Sequence, residues 1–524
     1  MKKSLSVFLA LLFTLAMLLP AFSAGAFAAN RVPVINIVGE REVEVWKEDG
    51  THYSPTEAMA DEVVDKAIEE LTPVFVKAFL TNNYDEWSRL ALEKLTPIYD
   101  EIRPAPDGTL PKNTSPYLWA DMPQTLPEPG AVNYYYGYCW DFRNSPLDEA
   151  DALHEFIQSV KEKTGSDKVI LSSRCGSTSL SACYLYKYGA GDIAKIIFSA
   201  STLLGTPHAD ALLSGNLKVK GNALYYYLME NDTLSSMDAS LVKFINAMLF
   251  ALNLNGSADD TISLLLRIYD KIKDSFLAPF LRSYYGICGN YIASVSDHFD
   301  EYVNYIFPTA ELKAEYAPIL TKAAEYHNNV QNHLEDLLTG VRDAGVPVYF
   351  LAFYGEPSGF PVSERSAMVG DELVDANWQS FGATVADFPG KLADSYLAGR
   401  QQAGLGRYLS PDGQIDASTC LFPETTWFIK NMRHAFHAND LHNFIRLIAW
   451  SDDMTVTSNP AYPQFLTVVG NHKSLAPAQA VNENDLDVSA WQQDMKGTTG
   501  FFAKVVAFFA KIIAFFARLF KIIK

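Results

Sequence analysis

The chain is sparing with cysteine: five in 524 residues, at positions 139, 175, 183, 288 and 420, with no spacing that suits a metal site. A chain of this length builds its own core and needs no disulfide framework. The odd count leaves at least one thiol unpaired within a monomer. Positive charge is also scarce, 42 Lys and Arg against 61 Asp and Glu, for a net charge of −19. Seven of these cations sit at the ends, as Lys2 and Lys3 and as Lys504, Lys511, Arg518, Lys521 and Lys524, so the body between is more acidic still. An acidic body repels a phosphate backbone, which sets nucleic acid aside as a partner. The apolar run over 7–19 is too short to span a membrane comfortably. No cysteine follows it of the kind a lipoprotein signal carries.

What is present begins with that run. A basic start, a short apolar segment and the small residues Ala26-Phe27-Ala28 make residues 1–29 a secretory signal peptide. Export across the bacterial cytoplasmic membrane is expected, to the cell envelope or beyond. Hydrophobic content of 48% and aromatics at 13% supply an ample core. The β-branched run 32–38, the tyrosine-rich 132–138, then 168–172 and 195–200 read as short strands, with helical periodicity over 57–82, 147–163 and 177–188. Residues 103–131 are proline-rich loop. The alternation lapses over 216–335, which reads as helical and aromatic, and resumes with strands at 346–352 and 426–430. This pattern predicts the α/β class, a mostly parallel sheet flanked by helices. The expected organisation is a core in two parts, 30–215 and 336–450, separated by a helical cap or extra core helices at 216–335. A C-terminal extension and linker over 451–498 and an amphipathic helix at 499–524 complete it.

One segment carries the chemistry. Lys168-Val169-Ile170-Leu171-Ser172 is strand, Ser173-Arg174-Cys175-Gly176-Ser177 is a turn of mostly small residues, and a helix follows. A nucleophile elbow needs that context, because small residues let the chain turn sharply and project the central one. The usual pattern is G-x-S-x-G, and here all three defining positions differ. Upstream stand Trp140-Asp141-Phe142-Arg143-Asn144-Ser145-Pro146 and Thr164-Gly165; downstream stand Gly205-Thr206-Pro207-His208 and Ser214-Gly215. Together these resemble the lecithin–cholesterol acyltransferase-like lipases of the α/β-hydrolase superfamily, over roughly residues 32–450.

The resemblance implies an α/β-hydrolase fold and a triad in the order nucleophile, acid, histidine. Cys175 takes the nucleophile place. Gly370-Asp371-Glu372-Leu373-Val374 resembles the turn that carries the acid, making Asp371 the candidate and Asp375 the fallback. His434, delivered after the strand at 426–430, is the histidine, with His437 second and His442 on the helix beyond. Gly176 would give one oxyanion N–H, and Glu40, after the strand end Val38-Gly39, takes the second place. His208 is expected to be strand-end structure, since no second residue is spaced to share a metal with it. No cofactor is implied. The expected reaction is cleavage of an ester or thioester, of a small molecule or a lipid, through an acyl-cysteine. The alternative from another class is an inactive homologue serving as an envelope-binding protein.

Residues 501–521 repeat three heptads of Phe-Phe-Ala followed by a cation. As a helix this puts aromatic and aliphatic side chains on one half and cations with alanines on the other, which suits an anionic membrane surface. Self-association, or docking on the acidic body, would use the same face.

Overall fold

The computed structural model describes residues 31–37, 43–47, 52–53, most of 70–111, 114–118, 134–218, 266–285, 294–358, 363–434, 439–470 and 474–478. The expected signal peptide, the tail helix, Glu40 and His437 lie outside the described residues.

Eight strands form the central sheet: β1 Val34–Ile37, β2 Tyr135–Tyr138, β3 Val169–Cys175, β4 Ile193–Ser201, β5 Val348–Tyr354, β6 Thr426–Lys430, β7 Phe465–Val469 and β8 Ser474–Pro477. Their order is β8-β7-β6-β5-β4-β3-β1-β2. Seven run parallel, and β8 closes the edge antiparallel to β7. The strands are short β-branched and aromatic runs because both faces are covered. Their side chains divide by the strand period of two. Leu171, Phe198 and Phe350 enter one core, while Ile170, Ile197, Leu351 and Ile429 enter the other.

The helices follow from local signals. On the first face, α1 Pro146–Thr164 has Ser145 as its N-cap, accepting from the Leu147 amide, and Pro146 at its first position. Asp148 and Glu149 lie in its first turn, Lys161 and Lys163 in its last, and Gly165 ends it in the left-handed region. It packs on α2 Ser177–Tyr188, which begins directly after β3. After β4 comes a short turn and the helix α3 Pro207–Leu213. The opposite face is covered by α8 Asn439–Trp450, through Leu441, Phe444, Ile445 and Ile448.

The segment expected as a cap or as extra core helices is helical where it is described, and its later part packs into the core. The helices α4 Ala278–Tyr285, α5 Phe299–Ile306, α6 Ala317–Asn329 and α7 Leu334–Asp343 send Leu281, Tyr302, Ile306, Ala323, Tyr326 and Leu338 into the same core as Leu171 and Phe350. Gln331 also donates to the carbonyl of Leu203, just past β4. On α3, Asp210 accepts from Tyr302 and lies 2.7 Å from His298 Nδ1. The stretch from Phe299 to Asp343 is therefore a core layer.

Two further strands, β7 and β8, lie where extension and linker were expected. Phe465, Leu466 and Val468 are buried there, since the sheet needs cover beyond β6. Among the described residues no helix is long and apolar enough to cross a membrane.

Candidate active site

The site forms at the ends of β3, β5 and β6. Cys175 is the last residue of β3 and has φ +55°, in the left-handed region that a non-glycine residue rarely adopts. Pairing with β4 slips between Arg174 and Cys175, as the chain turns out of the sheet. Gly176 follows as the N-cap of α2, which places the positive end of that helix beside the thiol.

Serines hold this turn where the usual motif has glycines. Ser173 and Ser177 are buried, and the Ser173 hydroxyl accepts from Ser181 at 3.0 Å. Thr178 donates to the Cys175 carbonyl at 2.7 Å and accepts from the Thr202 amide at 3.4 Å, tying the turn to the end of β4. A small polar side chain with a partner fits here as well as none.

Asp371 sits in a tight turn after β5. Its amide donates to the Val374 carbonyl at 3.1 Å, and its Oδ1 accepts from the amides of Leu373 and Val374 at 3.1 and 2.9 Å. Gly370 is required: a Cβ there would lie 2.4 Å from the Val374 carbonyl oxygen. The carboxylate is fully buried, and its Oδ2 lies 2.8 Å from Nδ1 of His434. The His434 amide also donates to the Asp371 carbonyl, at 2.8 Å.

This fixes the imidazole. Nδ1 carries the proton toward Asp371, and Nε2 is buried without a full hydrogen bond. Cys175 is the neighbour that acts on the ring. Burial alone would lower the His434 pKa, but Asp371 and Cys175, through charge and hydrogen bonding, outweigh it and hold the pKa up at about 10. The next residue back, Arg433, donates from Nε to Glu356 at 2.9 Å and pairs with Glu372 at 3.3 Å. An ion pair thus joins the histidine loop to the acid loop on the outer side.

The alternatives lie elsewhere. Asp375 is buried, paired with Arg365 through both oxygens at 2.8 and 2.9 Å, and caps the turn at Ala376–Gln379. It builds the acid loop and does not reach the histidine. His442 is exposed on α8. His208 was expected at a strand end, but it opens α3, because Thr206-Pro207 starts a helix. Burial and the neighbouring charge of His434 push its pKa down to about 4, so it is a neutral imidazole close to the site. Its sequence signal is faint, a histidine one residue past a helix-starting proline.

Cys139, Cys183 and Cys420 are unpaired, as is Cys175. Burial raises the thiol pKa of Cys139 and Cys420 to about 12 and holds that of Cys183 well above its usual value. Cys288 lies outside the described residues. Compared with protein-family models and with curated proteins, the chain matches none.

Proposed function

We propose that the protein cleaves ester or thioester bonds by acyl transfer through Cys175, His434 and Asp371, on an α/β-hydrolase fold. One observation carries this reading. A cysteine in a strained left-handed turn at a strand end shares its surroundings with a buried Asp–His pair brought there by two later strands. Chain order and placement both agree with the nucleophile elbow and its partners. Strain at a single residue, kept by surrounding hydrogen bonds, costs about 1–3 kcal/mol and is a feature of functional turns.

The steps follow from the geometry. The thiolate of Cys175 attacks the carbonyl carbon, and the developing oxyanion is met by the Gly176 N–H at the start of α2. Glu40 remains the proposed place of the second donor. The His434 imidazolium then gives its proton to the leaving alcohol or thiol, while Asp371 holds the ring orientation. Acylation converts the thiolate to a neutral thioester, so His434 loses one of the two charges that raise its pKa. With its pKa lowered the ring stays neutral once it has given up its proton, and is free to accept one from the water or alcohol that deacylates the enzyme. No cofactor enters these steps.

A chain-length series of p-nitrophenyl esters and acyl thioesters, with the wild type beside Cys175→Ala, tests the reading. Turnover that falls at least ~10³-fold in the variant supports it. An inert wild type whose Cys175 also resists iodoacetamide sinks it and favours an envelope-binding protein. Export through residues 1–29 and attachment to an anionic membrane through residues 501–524 belong to the same proposal, which would bring the site to lipid substrates.

A further inference from the structure

We propose that Arg174 is a positioning residue that ties the histidine loop to the nucleophile elbow; the catalytic sense of this rests on the reading of Cys175 and His434 above. Arg174 occupies a variable position of the elbow pattern, where no side chain is specified. Its strand, β3, is separated from β6 by β4 and β5, yet its partner lies past the end of β6. The guanidinium lies over the ring of Phe353 on β5, 5.3 Å from the centroid, and its Nη2 donates to the backbone carbonyl of His434.

His434 is therefore gripped from two sides. The acid loop holds its amide and its Nδ1, both through Asp371. Arg174 holds its carbonyl from the elbow side, 260 residues away in the chain. Without the second grip the histidine and acid loops, joined to each other by Arg433, would be free to shift as a unit relative to Cys175. Misplacement of about 1 Å at such a site costs on the order of 10²-fold in rate. Arginine suits this role because its planar fork stacks on an aromatic face while an edge N–H donates, which a lysine ammonium does less well. Because the acceptor is a main-chain oxygen, the tie sets where the ring stands and takes no part in bond making.

The test uses the full chain, with Arg174→Met and Arg174→Lys. Expected for Arg174→Met is a kcat for a p-nitrophenyl ester reduced about 10–100-fold with KM within about twofold, and Arg174→Lys in between. The second readout is the His434 titration by NMR, which needs no turnover. A loosened Asp371–His434–Cys175 contact lowers the His434 pKa from its raised value. Loss of a nearby cation, the purely electrostatic alternative, would raise it. A lowered pKa supports the tie; an unchanged or raised pKa in Arg174→Lys and Arg174→Met overturns it. Should Arg174→Met not fold, Arg174→Lys carries the same two readouts. An inert wild type with an unreactive Cys175 removes the catalytic reading, and the titration still decides whether Arg174 holds the loop.

Discussion

His434 is the residue on which the site's electrostatics converge, and its protonation couples to stability. Its folded pKa, about 10, lies above the unfolded value near 6.5. The sign is that of a raised base: the contribution is complete below about pH 6.5 and is lost as pH rises toward 10. Denaturant midpoints measured from pH 6 to 10 are therefore expected to fall more steeply in the wild type than in His434→Gln. Parallel profiles would show that the imidazolium is not stabilised in the fold. At this scale the Asp371–His434 pair and the turn at Cys175 were legible, and their supports were not. Cys175 could be found because strand, small-residue turn and helix survive even with all three motif positions replaced. Asp371 was read from the resemblance of Gly370–Val374 to the family's acid turn, and His434 from the likeness of the strand at 426–430 to the family's last strand. Arg174 and Arg433 gave no signal, since a charged residue at a variable position has no periodicity and its partners are remote in sequence.

The elements were readable where one periodicity dominated. The run at 426–430 matches β6, and 147–163 lies within α1, because each carries an uninterrupted pattern and a clear stop. The strand expected at 346–352 begins two residues later, at Val348, since Pro347 cannot donate to the ladder. The strands β7 and β8 were missed: after the mostly polar stretch 451–464, the short run Phe465–Val469, with Thr467 inside it, resembles loop hydrophobics as much as a strand. The helices of 299–343 were legible as helices, but cap and core stayed open as alternatives, because amphipathicity tells which face is buried and not what buries it. α8 offers the element-level test. Phe444 is fully buried and stacks on Tyr462 and, edge-on, on Trp427. Phe444→Ala is expected to cost about 3–5 kcal/mol by equilibrium denaturation. A cost under about 1 kcal/mol would mean that α8 is not the cover of that face.

For the whole molecule, the sheet and its two layers put the candidate site at the carboxyl ends of the central strands, and the proposed role of the tail is separate from it. Deleting residues 499–524 is expected to leave turnover of a soluble ester unchanged and to abolish sedimentation with phosphatidylglycerol vesicles. Retained vesicle binding would move the membrane contact to the body of the protein. The parallel sheet has one more consequence. Its nucleophile lies in the third strand to be made and its histidine after the sixth, with β7 and β8 still to come. A chain that emerges amino end first, from a ribosome or a translocation pore, carries Cys175 long before His434 can fold against it. On the proposed mechanism the site would thus be silent in transit, its reactivity withheld by the timing of synthesis until nearly the last strand is delivered.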